Sequence, residues 1–327
     1  MNYNVDMAQH KITVLDGHAL NPGDLSYSVL EEFGSVTVYE RTKSEDVIER
    51  IGDSDIIFLN KVCITKEIIS ACHNLKYIGV LATGYNVIDT KAAKEAGLIV
   101  TNIPAYSTNA VAQHVFSFIL HFTNRVAQHS ADVKNGGWVK AQDFCYWLSP
   151  LTELEGKTLG IIGYGNIGSR VAHIAKAFGM NVVTANDSAR AKADNVKAVG
   201  ILGLSQCDFI SLHIPLTTEN AHFFNAGIIE QICNKNTILI NTARGGLIDE
   251  QAVADALKSG NLAGYAADVV ESEPMSPDSP LLSAPNCVLT PHIAWAPKET
   301  RQRCLNIAVD NLRSYINGKA KNVVFSD

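Results

Sequence analysis

The sequence predicts an α/β fold with two doubly wound parallel-sheet domains, and three observations support this prediction. The chain has 327 residues, which is too long for one ordinary α/β core. Short apolar runs alternate with helical patterns through the N-terminal third of the chain. Further on, the apolar run Thr158–Ile162 leads into a glycine-rich turn and then into a helical pattern at Ile167–Phe178. Strands and helices that alternate in this way form parallel sheets.

The first domain is predicted to be a small flavodoxin-like unit. No glycine-rich phosphate-binding turn follows any of its predicted strands. Its apolar runs indicate five strands, at Lys11–Leu15, Ser35–Tyr39, Ile56–Leu59, Lys76–Ala82 and Leu98–Thr101. Helices are expected between these strands, for example at Ser44–Ile51, Lys66–Cys72 and Asp89–Ala96.

A long helix over Thr108–Lys134 is predicted next. It carries apolar residues on more than one side, which favours burial against a partner as well as against its own core. The alternative is a helix that is buried wholly within one chain.

The second domain is predicted to be one continuous stretch of chain that contains the remaining strands. These strands are Thr158–Ile162, Asn181–Ala185, Asp208–Ile214, Thr237–Thr242, Gly264–Val269 and Cys287–Leu289. The last segment, Lys298–Lys319, has the pattern of an amphipathic helix and is expected to return to the first domain. The predicted domains are therefore residues 1–106 with 298–327, and residues 107–297.

Residues 161–168, Ile-Ile-Gly-Tyr-Gly-Asn-Ile-Gly, form a dinucleotide-binding fingerprint between a strand and a helix. Gly163 allows the tight turn, Gly165 lets the backbone approach a pyrophosphate, and Gly168 allows close packing of helix and strand. The phosphates would lie on free amides at the helix N-terminus. The alternative is a glycine-rich turn that binds nothing.

Asp187, which follows the next predicted strand, indicates the choice of cofactor. Its carboxylate can accept both hydroxyls of an adenosine ribose and would repel a 2′-phosphate, which favours NAD over NADP. Arg190 is close in sequence and opposes that preference, because a cation would shield a phosphate.

Composition excludes several other classes of protein. The chain has 27 Lys and Arg against 33 Asp and Glu, a net charge of −6, and shows no basic patch, so nucleic-acid binding is disfavoured. Seven scattered cysteines without a C-x-x-C pair indicate a reducing, cytoplasmic location and argue against a disulfide scaffold or a metal site. Met1–His10 is polar, so no signal peptide is expected there, and no apolar run approaches a membrane span.

Polar side chains follow several strands of the second domain. Arg244, Asp268, Glu273 and His292 stand at or just after the ends of three predicted strands, where parallel sheets bind their ligands. Reduction of a 2-oxo acid needs a guanidinium for the carboxylate and an acid for the carbonyl oxygen. His292 is suited to be the acid, Glu273 to fix its tautomer and favour the imidazolium, and Arg244 to grip the substrate.

Each of these residues also has a plainer interpretation. Arg244 could cap a helix or pair with Asp249, Glu273 could be a solvated turn residue, and His292 could be an ordinary loop histidine. Their common position at strand ends favours the catalytic interpretation. The other histidines, His114 among them, lie in no comparable setting. His213 is expected to be structural, as a wall against an adenine.

With these motifs the sequence resembles the D-isomer-specific 2-hydroxyacid dehydrogenases over nearly its whole length. The resemblance rests on residues 163–168, on His-Ile-Pro-Leu-Thr-Thr-Glu-Asn at 213–220 and on Asn-Thr-Ala-Arg-Gly-Gly-Leu-Ile-Asp at 241–249. Asp-Val-Val-Glu-Ser-Glu-Pro at 268–274 and Thr-Pro-His-Ile-Ala-Trp at 290–295 complete it. Within the family it is most similar to the glycerate dehydrogenases, in residues 59–61, 81–89, 104–114, 144–147 and 292–296. Gln113 and Trp295 depart from the broader family in the direction of this subgroup.

The resemblance implies an NAD-dependent enzyme that reduces hydroxypyruvate or glyoxylate to D-glycerate or glycolate. It gives Arg244, Glu273 and His292 the roles of substrate clamp, partner and acid. It implies a substrate carboxylate held by the amides around Thr83 and Gly84, with Lys61 or Asn60 at the far end. The cofactor contacts expected from the motifs and the resemblance together are Thr108, Gly163, Gly165, Asn166, Ile167, Gly168, Asp187, His213, Pro215, Thr242, Ala243, Asp268 and His292.

The resemblance also implies a homodimer formed through the cofactor domain, while charge and hydropathy argue against a nucleic-acid or membrane partner. Two other functions remain open. One is another D-2-hydroxyacid dehydrogenase, such as phosphoglycerate dehydrogenase, and the other is an NAD-sensing binding protein of the same fold without turnover. Formate dehydrogenase is disfavoured because it has Gln where Glu273 stands.

Overall fold

The computed structural model describes residues 10–325 and confirms the predicted α/β class. The prediction for Met1–His10 therefore falls almost wholly outside the described residues. Contacts divide the chain into two compact units, Met1–Ser107 with Ala296–Asp327, and Thr108–Trp295. Each unit is built on one parallel sheet.

The first unit contains a five-stranded parallel sheet in the order β2-β1-β3-β4-β5. Its hydrophobic core lies between the sheet and the helices, where Ile57, Leu59, Ile78 and Val100 are almost fully buried. The elements are β1 (His10–Val14), β2 (Gly34–Val38), α1 (Val47–Ile51), β3 (Ile56–Leu59), α2 (Lys66–Ala71), β4 (Tyr77–Val80), α3 (Thr90–Glu95) and β5 (Ile99–Thr101).

The second unit contains a seven-stranded parallel sheet in the order β12-β11-β10-β9-β6-β7-β8. After β6 the chain adds β7 and β8 on one side of this strand and then returns to add β9 to β12 on the other side. This reversal of strand order is the arrangement of a nucleotide-binding sheet. The elements are α4 (Thr108–Asn124), α5 (Val126–Lys134), β6 (Thr158–Ile162), α6 (Asn166–Ala177), β7 (Asn181–Thr184), α7 (Ala189–Ala193), β8 (Lys197–Ala198), β9 (Phe209–Leu212), α8 (Ala226–Ile232), β10 (Ile238–Asn241), α9 (Glu250–Ser259), β11 (Gly264–Ala267) and β12 (Cys287–Leu289).

The last helix, α10 (Lys298–Ile316), belongs to the first unit and packs against β4. Arg301 near its start is 7% exposed and forms two 2.7 Å hydrogen bonds to the Asp24 carboxylate. A two-pronged guanidinium–carboxylate pair of this kind fixes the orientation of the helix as well as its position.

The prediction of one helix over Thr108–Lys134 is wrong. Arg125 adopts a left-handed conformation with φ of +49°, which ends α4 and starts α5. Neither glycine nor proline marks this break in the sequence.

The apolar side chains of α4 lie mostly inside the second unit, as the alternative expects, and burial of this helix against a partner stays a prediction. Val115, Phe118 and Ile119 of α4 are buried within the second unit. Exposed apolar side chains follow α4 instead, at Val126, Val133, Trp138, Val139, Phe144, Trp147, Leu148 and Leu151.

Within residues 10–325, no helix is long and apolar enough to cross a membrane.

Candidate active site

The glycine-rich turn has the geometry that a bound dinucleotide requires. Gly163 has φ of +98°, and a Cβ there would lie 2.5 Å from the carbonyl oxygen of His213. A Cβ on Gly168 would lie 2.2 Å from the carbonyl oxygen of Gly163, so this glycine lets α6 start close to β6. Gly165 instead faces open space, and no side chain caps the helix that begins at Asn166. The first amides of α6, those of Asn166 and Ile167 included, are therefore available to an anion.

A buried hydroxyl at the end of β10 also points to a ligand. The Thr242 Oγ1 atom is buried and has no hydrogen-bond partner among the described residues. Buried hydroxyls are rarely left unpaired, because the loss of water costs about 1–3 kcal/mol without a compensating bond. Ala243 next to it is buried, and its amide donates to Asn241. These residues fit a dinucleotide lying along the carboxyl ends of the strands.

Asp187 lies just after β7 and already has a partner. Its carboxylate is 2.9 Å from the Lys192 ammonium on α7, and both side chains are largely exposed. The Arg190 guanidinium donates to the Asn166 side chain at 2.7 Å. Two cations therefore lie at the position where the sequence predicts recognition of the adenosine ribose.

His213 follows β9, and its ring nitrogen lies 2.9 Å from the Ser211 hydroxyl. Burial lowers the pKa of His213 to about 3, so the ring is neutral at physiological pH. This agrees with a structural residue and not with an acid. Pro215, two residues further on, is exposed.

Glu273, which follows β11, forms a hydrogen bond with His292, which follows β12. The His292 Nδ1 atom lies 2.7 Å from a Glu273 carboxylate oxygen, and each side chain is about one-third exposed. The carboxylate can only accept, so Nδ1 carries the hydrogen and Nε2 faces away from this bond. No described residue forms a hydrogen bond to Nε2, which leaves it available to a substrate.

Asp268 organises the loop that carries His292. Its side chain is 2% exposed, and its two oxygens accept the amides of Ile293 and Ala294, each at 2.8 Å. Its backbone oxygen accepts the His292 amide at 2.8 Å. The Thr290 hydroxyl adds a 2.6 Å bond to the carboxylate. The buried side chain thus fixes three groups of one short loop, and the backbone oxygen of the same residue fixes a fourth.

Arg244 follows β10, the strand next to β11. Its side chain is exposed, and its guanidinium donates to the neighbouring Ala243 carbonyl at 2.6 Å. No carboxylate among residues 10–325 forms an ion pair with it, and Asp249 instead caps α9 through the Ala252 amide. The alternative of an Arg244–Asp249 pair is therefore absent from the structure.

The first unit presents its predicted substrate contacts after β3 and β4, which are neighbours in its sheet. The buried Asp16 carboxylate accepts the amides of Asn60 at 2.7 Å and Lys61 at 2.6 Å. Burial raises the pKa of Asp16, although these backbone bonds oppose the shift.

The turn after β4 is held by its neighbours. The Thr83 hydroxyl donates to the Ile103 carbonyl at 2.8 Å, and the backbone carbonyl of Thr83 accepts a hydrogen bond from the Asn102 side chain at 2.7 Å. The amides of Thr83 and Gly84 have no hydrogen-bond acceptor among the described residues, so they are free to bind a carboxylate.

Sequence reasoning missed the residues that support these contacts. Asp16 accepts amides from residues more than 40 positions further along the chain, and Thr290 lies 2.9 Å from His114, which precedes it by 176 residues. No local pattern in the chain relates such residues. Among the described residues, no cluster of His, Cys, Asp or Glu has the arrangement of a metal site.

Comparison with known proteins identifies the family of the chain. Residues 116–294 match the family model of the D-isomer specific 2-hydroxyacid dehydrogenase NAD binding domain. A hydroxypyruvate reductase of Blautia hydrogenotrophica is 45% identical over 320 residues, which cover 96% of this chain and 99% of the relative. A glycerate dehydrogenase of Methylorubrum extorquens is 36% identical over 317 residues, 96% of this chain and 98% of the relative.

Solved structures show the same fold. An acyclic imino acid reductase in complex with NADPH and D-Arg superposes with a TM-score of 0.84 at 32% identity, covering 96% of this chain and 100% of that chain.

Proposed function

Because the chain belongs to the D-isomer-specific 2-hydroxyacid dehydrogenase family, we propose that it reduces hydroxypyruvate or glyoxylate to D-glycerate or glycolate with NADH. The His292–Glu273 pair at the carboxyl end of the sheet, 2.7 Å between nitrogen and oxygen, carries the proposal. The 45% identity to a hydroxypyruvate reductase along almost the whole chain supports the substrate.

Each residue has a distinct role in the proposed reaction. NADH held at the glycine-rich turn would supply the hydride for the keto carbon. His292 gives a proton from Nε2 to the carbonyl oxygen, while Glu273 holds Nδ1 and stabilises the charged imidazolium. Arg244 grips the substrate carboxylate and polarises the adjacent carbonyl through its forked N–H donors.

The remaining substrate contacts are proposed for the first unit. The free amides of Thr83 and Gly84 would share the substrate carboxylate, and Lys61 would contact the hydroxyl end. Asp16 accepts the amide of Lys61, which fixes the backbone from which this side chain extends.

Rates of NADH oxidation with four keto acids test the proposed function. We expect hydroxypyruvate or glyoxylate to give the highest kcat/KM, above pyruvate and 3-phosphohydroxypyruvate. A preference for 3-phosphohydroxypyruvate would assign the chain to phosphoglycerate oxidation. Tight NADH binding without turnover of any keto acid would support the NAD-sensing alternative.

We also propose that NADH is preferred over NADPH, with Asp187 as the residue that binds the ribose hydroxyls. A structural relative with the same fold binds NADPH, so the fold alone does not determine the choice of cofactor. Lys192 and Arg190 oppose the preference for NADH, since their charges would attract a 2′-phosphate.

A homodimer formed through the second unit completes the proposal. The supporting observation is the run of exposed apolar side chains between Val126 and Leu151, in which Val139 and Phe144 are each 88% exposed. A large exposed apolar surface of this kind is typical of a protein–protein interface. The free cysteines agree with a cytoplasmic location, which stays a prediction.

A further inference from the structure

His114, on α4, contacts the loop that carries the proposed acid. Its Nε2 atom is 2.9 Å from the Thr290 hydroxyl and 3.6 Å from an Asp268 carboxylate oxygen. The side chain is 16% exposed, and its ring meets the edge of Phe118 with 4.6 Å between ring centres. The ring is therefore fixed on one side by packing and on the other by a hydrogen bond.

The directions of these hydrogen bonds follow from the groups present. Asp268 accepts, so the 2.6 Å bond from Thr290 uses the single hydroxyl hydrogen. Thr290 must then accept from His114, which places a hydrogen on Nε2. Burial lowers the pKa of His114 although the Asp268 carboxylate opposes the shift, and a neutral ring still supplies the one N–H that the bond needs.

The loop needs such support because of its backbone. His292 has φ of +54°, a left-handed conformation that costs a non-glycine residue about 1–2 kcal/mol. Such a conformation persists only where surrounding contacts hold it. Asp268 provides those contacts through the Ile293 and Ala294 amides, and Thr290 with His114 fixes the Asp268 carboxylate in turn.

We propose that His114 is a positioning residue for the reaction, which holds Thr290 and Asp268 so that the His292 loop keeps its left-handed conformation. This inference rests on the proposed function for its effect on turnover. It does not rest on that function for its effect on the loop. His114 itself touches neither the substrate nor the acid in this scheme.

His114→Ala is the direct test. With saturating NADH we expect kcat to fall about tenfold, because a small displacement of a reacting group has a cost of this order, while KM for the keto acid changes by less than about threefold. His114→Gln keeps an N–H donor and should recover most of the loss. His121→Ala is the matched control, since His121 lies on the same helix and also meets a phenylalanine ring edge.

A double-mutant cycle separates positioning from general destabilisation. Thr290→Val removes the hydroxyl that receives the His114 bond, so adding His114→Ala should cause little further loss of kcat. Additive losses, or an unchanged kcat in His114→Ala, would overturn the inference. A loss that His114→Gln does not reduce would also contradict it.

Hydrogen exchange gives a readout that does not need activity. In His114→Ala the amides of Ile293 and Ala294, which Asp268 protects, should exchange faster than in the parent and in His121→Ala. Unchanged exchange would overturn the inference. Faster exchange in a protein that reduces no keto acid would leave the loop contact standing and remove the proposed function instead.

Discussion

His292 illustrates at the scale of one residue what sequence can predict. Carboxyl ends of neighbouring parallel strands share an edge of the sheet, so the approach of Glu273 to His292 was expected from strand positions alone. The left-handed backbone of His292 and its support by Asp268 could not be predicted from the sequence. Both depend on contacts with residues on α4 and just after β11. The same limit applies to Lys192, whose pairing with Asp187 depends on the course of α7.

His292→Ala is predicted to lower turnover by about 10²–10⁴-fold, the usual effect of removing a positioned acid. NADH affinity should change little, because His292 is one of many expected dinucleotide contacts and the others stay in place. Stopped-flow reduction of hydroxypyruvate and NADH fluorescence titration measure the two quantities. Glu273→Gln keeps a hydrogen bond but not the charge that stabilises the imidazolium, so its turnover should also fall below that of the parent. Near-normal turnover in His292→Ala would show that this histidine is structural.

Lys192→Ala is predicted to sharpen the preference for NADH. The ammonium neutralises Asp187 at 2.9 Å, and its removal leaves the carboxylate free for the ribose and repulsive to a phosphate. The ratio of kcat/KM for NADH to that for NADPH should rise, while Asp187→Ala should lower it. Lys197→Ala, on the neighbouring strand β8, is the control for a general loss of positive charge. An unchanged ratio in Lys192→Ala would mean that the ion pair has no influence on cofactor choice.

Helices and strands differ in how well the sequence predicts their ends. Predicted strands such as Ile56–Leu59 and Cys287–Leu289 coincide with β3 and β12, because short apolar runs between turns are bounded clearly. The break at Arg125 was not predicted, since a left-handed arginine leaves no mark in composition. The short strand β8 was missed because Lys197–Ala198 carries no apolar pattern.

The glycine-rich turn between β6 and α6 allows a prediction that separates folding from binding. Gly165→Ala places a methyl group in open space, so stability should be nearly unchanged while NADH binding weakens. Gly168→Ala places it 2.2 Å from the Gly163 carbonyl oxygen, so the fold should lose about 1–3 kcal/mol. Thermal unfolding and NADH titration of both variants measure the contrast. Equal stability losses, or full NADH affinity in Gly165→Ala, would contradict the assignment of this turn.

At the scale of the whole molecule, the exposed apolar segment predicts assembly. Light scattering at micromolar concentration should give a mass near twice the 35.4 kDa of one chain. Replacing both Val139 and Phe144 with Lys should shift the mass toward one chain, because charged side chains would enter the proposed interface. Leu202→Lys is the control, since Leu202 is 63% exposed but lies outside this segment. A parent mass of one chain would remove the homodimer from the proposal.

Acid should destabilise the second unit through His213. Its pKa is about 3 in the fold and near 6.5 in an unfolded chain, so below about pH 6.5 the unfolded state binds the additional proton. The free energy of unfolding is therefore unaffected by His213 above about pH 6.5, and it falls progressively as the pH falls from 6.5 toward 3. Between about pH 7 and pH 5 the free energy of unfolding should fall by at most about 2 kcal/mol, since each pH unit below 6.5 costs about 1.4 kcal/mol. His213→Gln cannot take up the proton, so its denaturation midpoint should fall less than that of the parent over the same interval. Urea denaturation of both proteins at the two pH values measures the difference, and parallel decreases would show that His213 does not stay neutral in the fold.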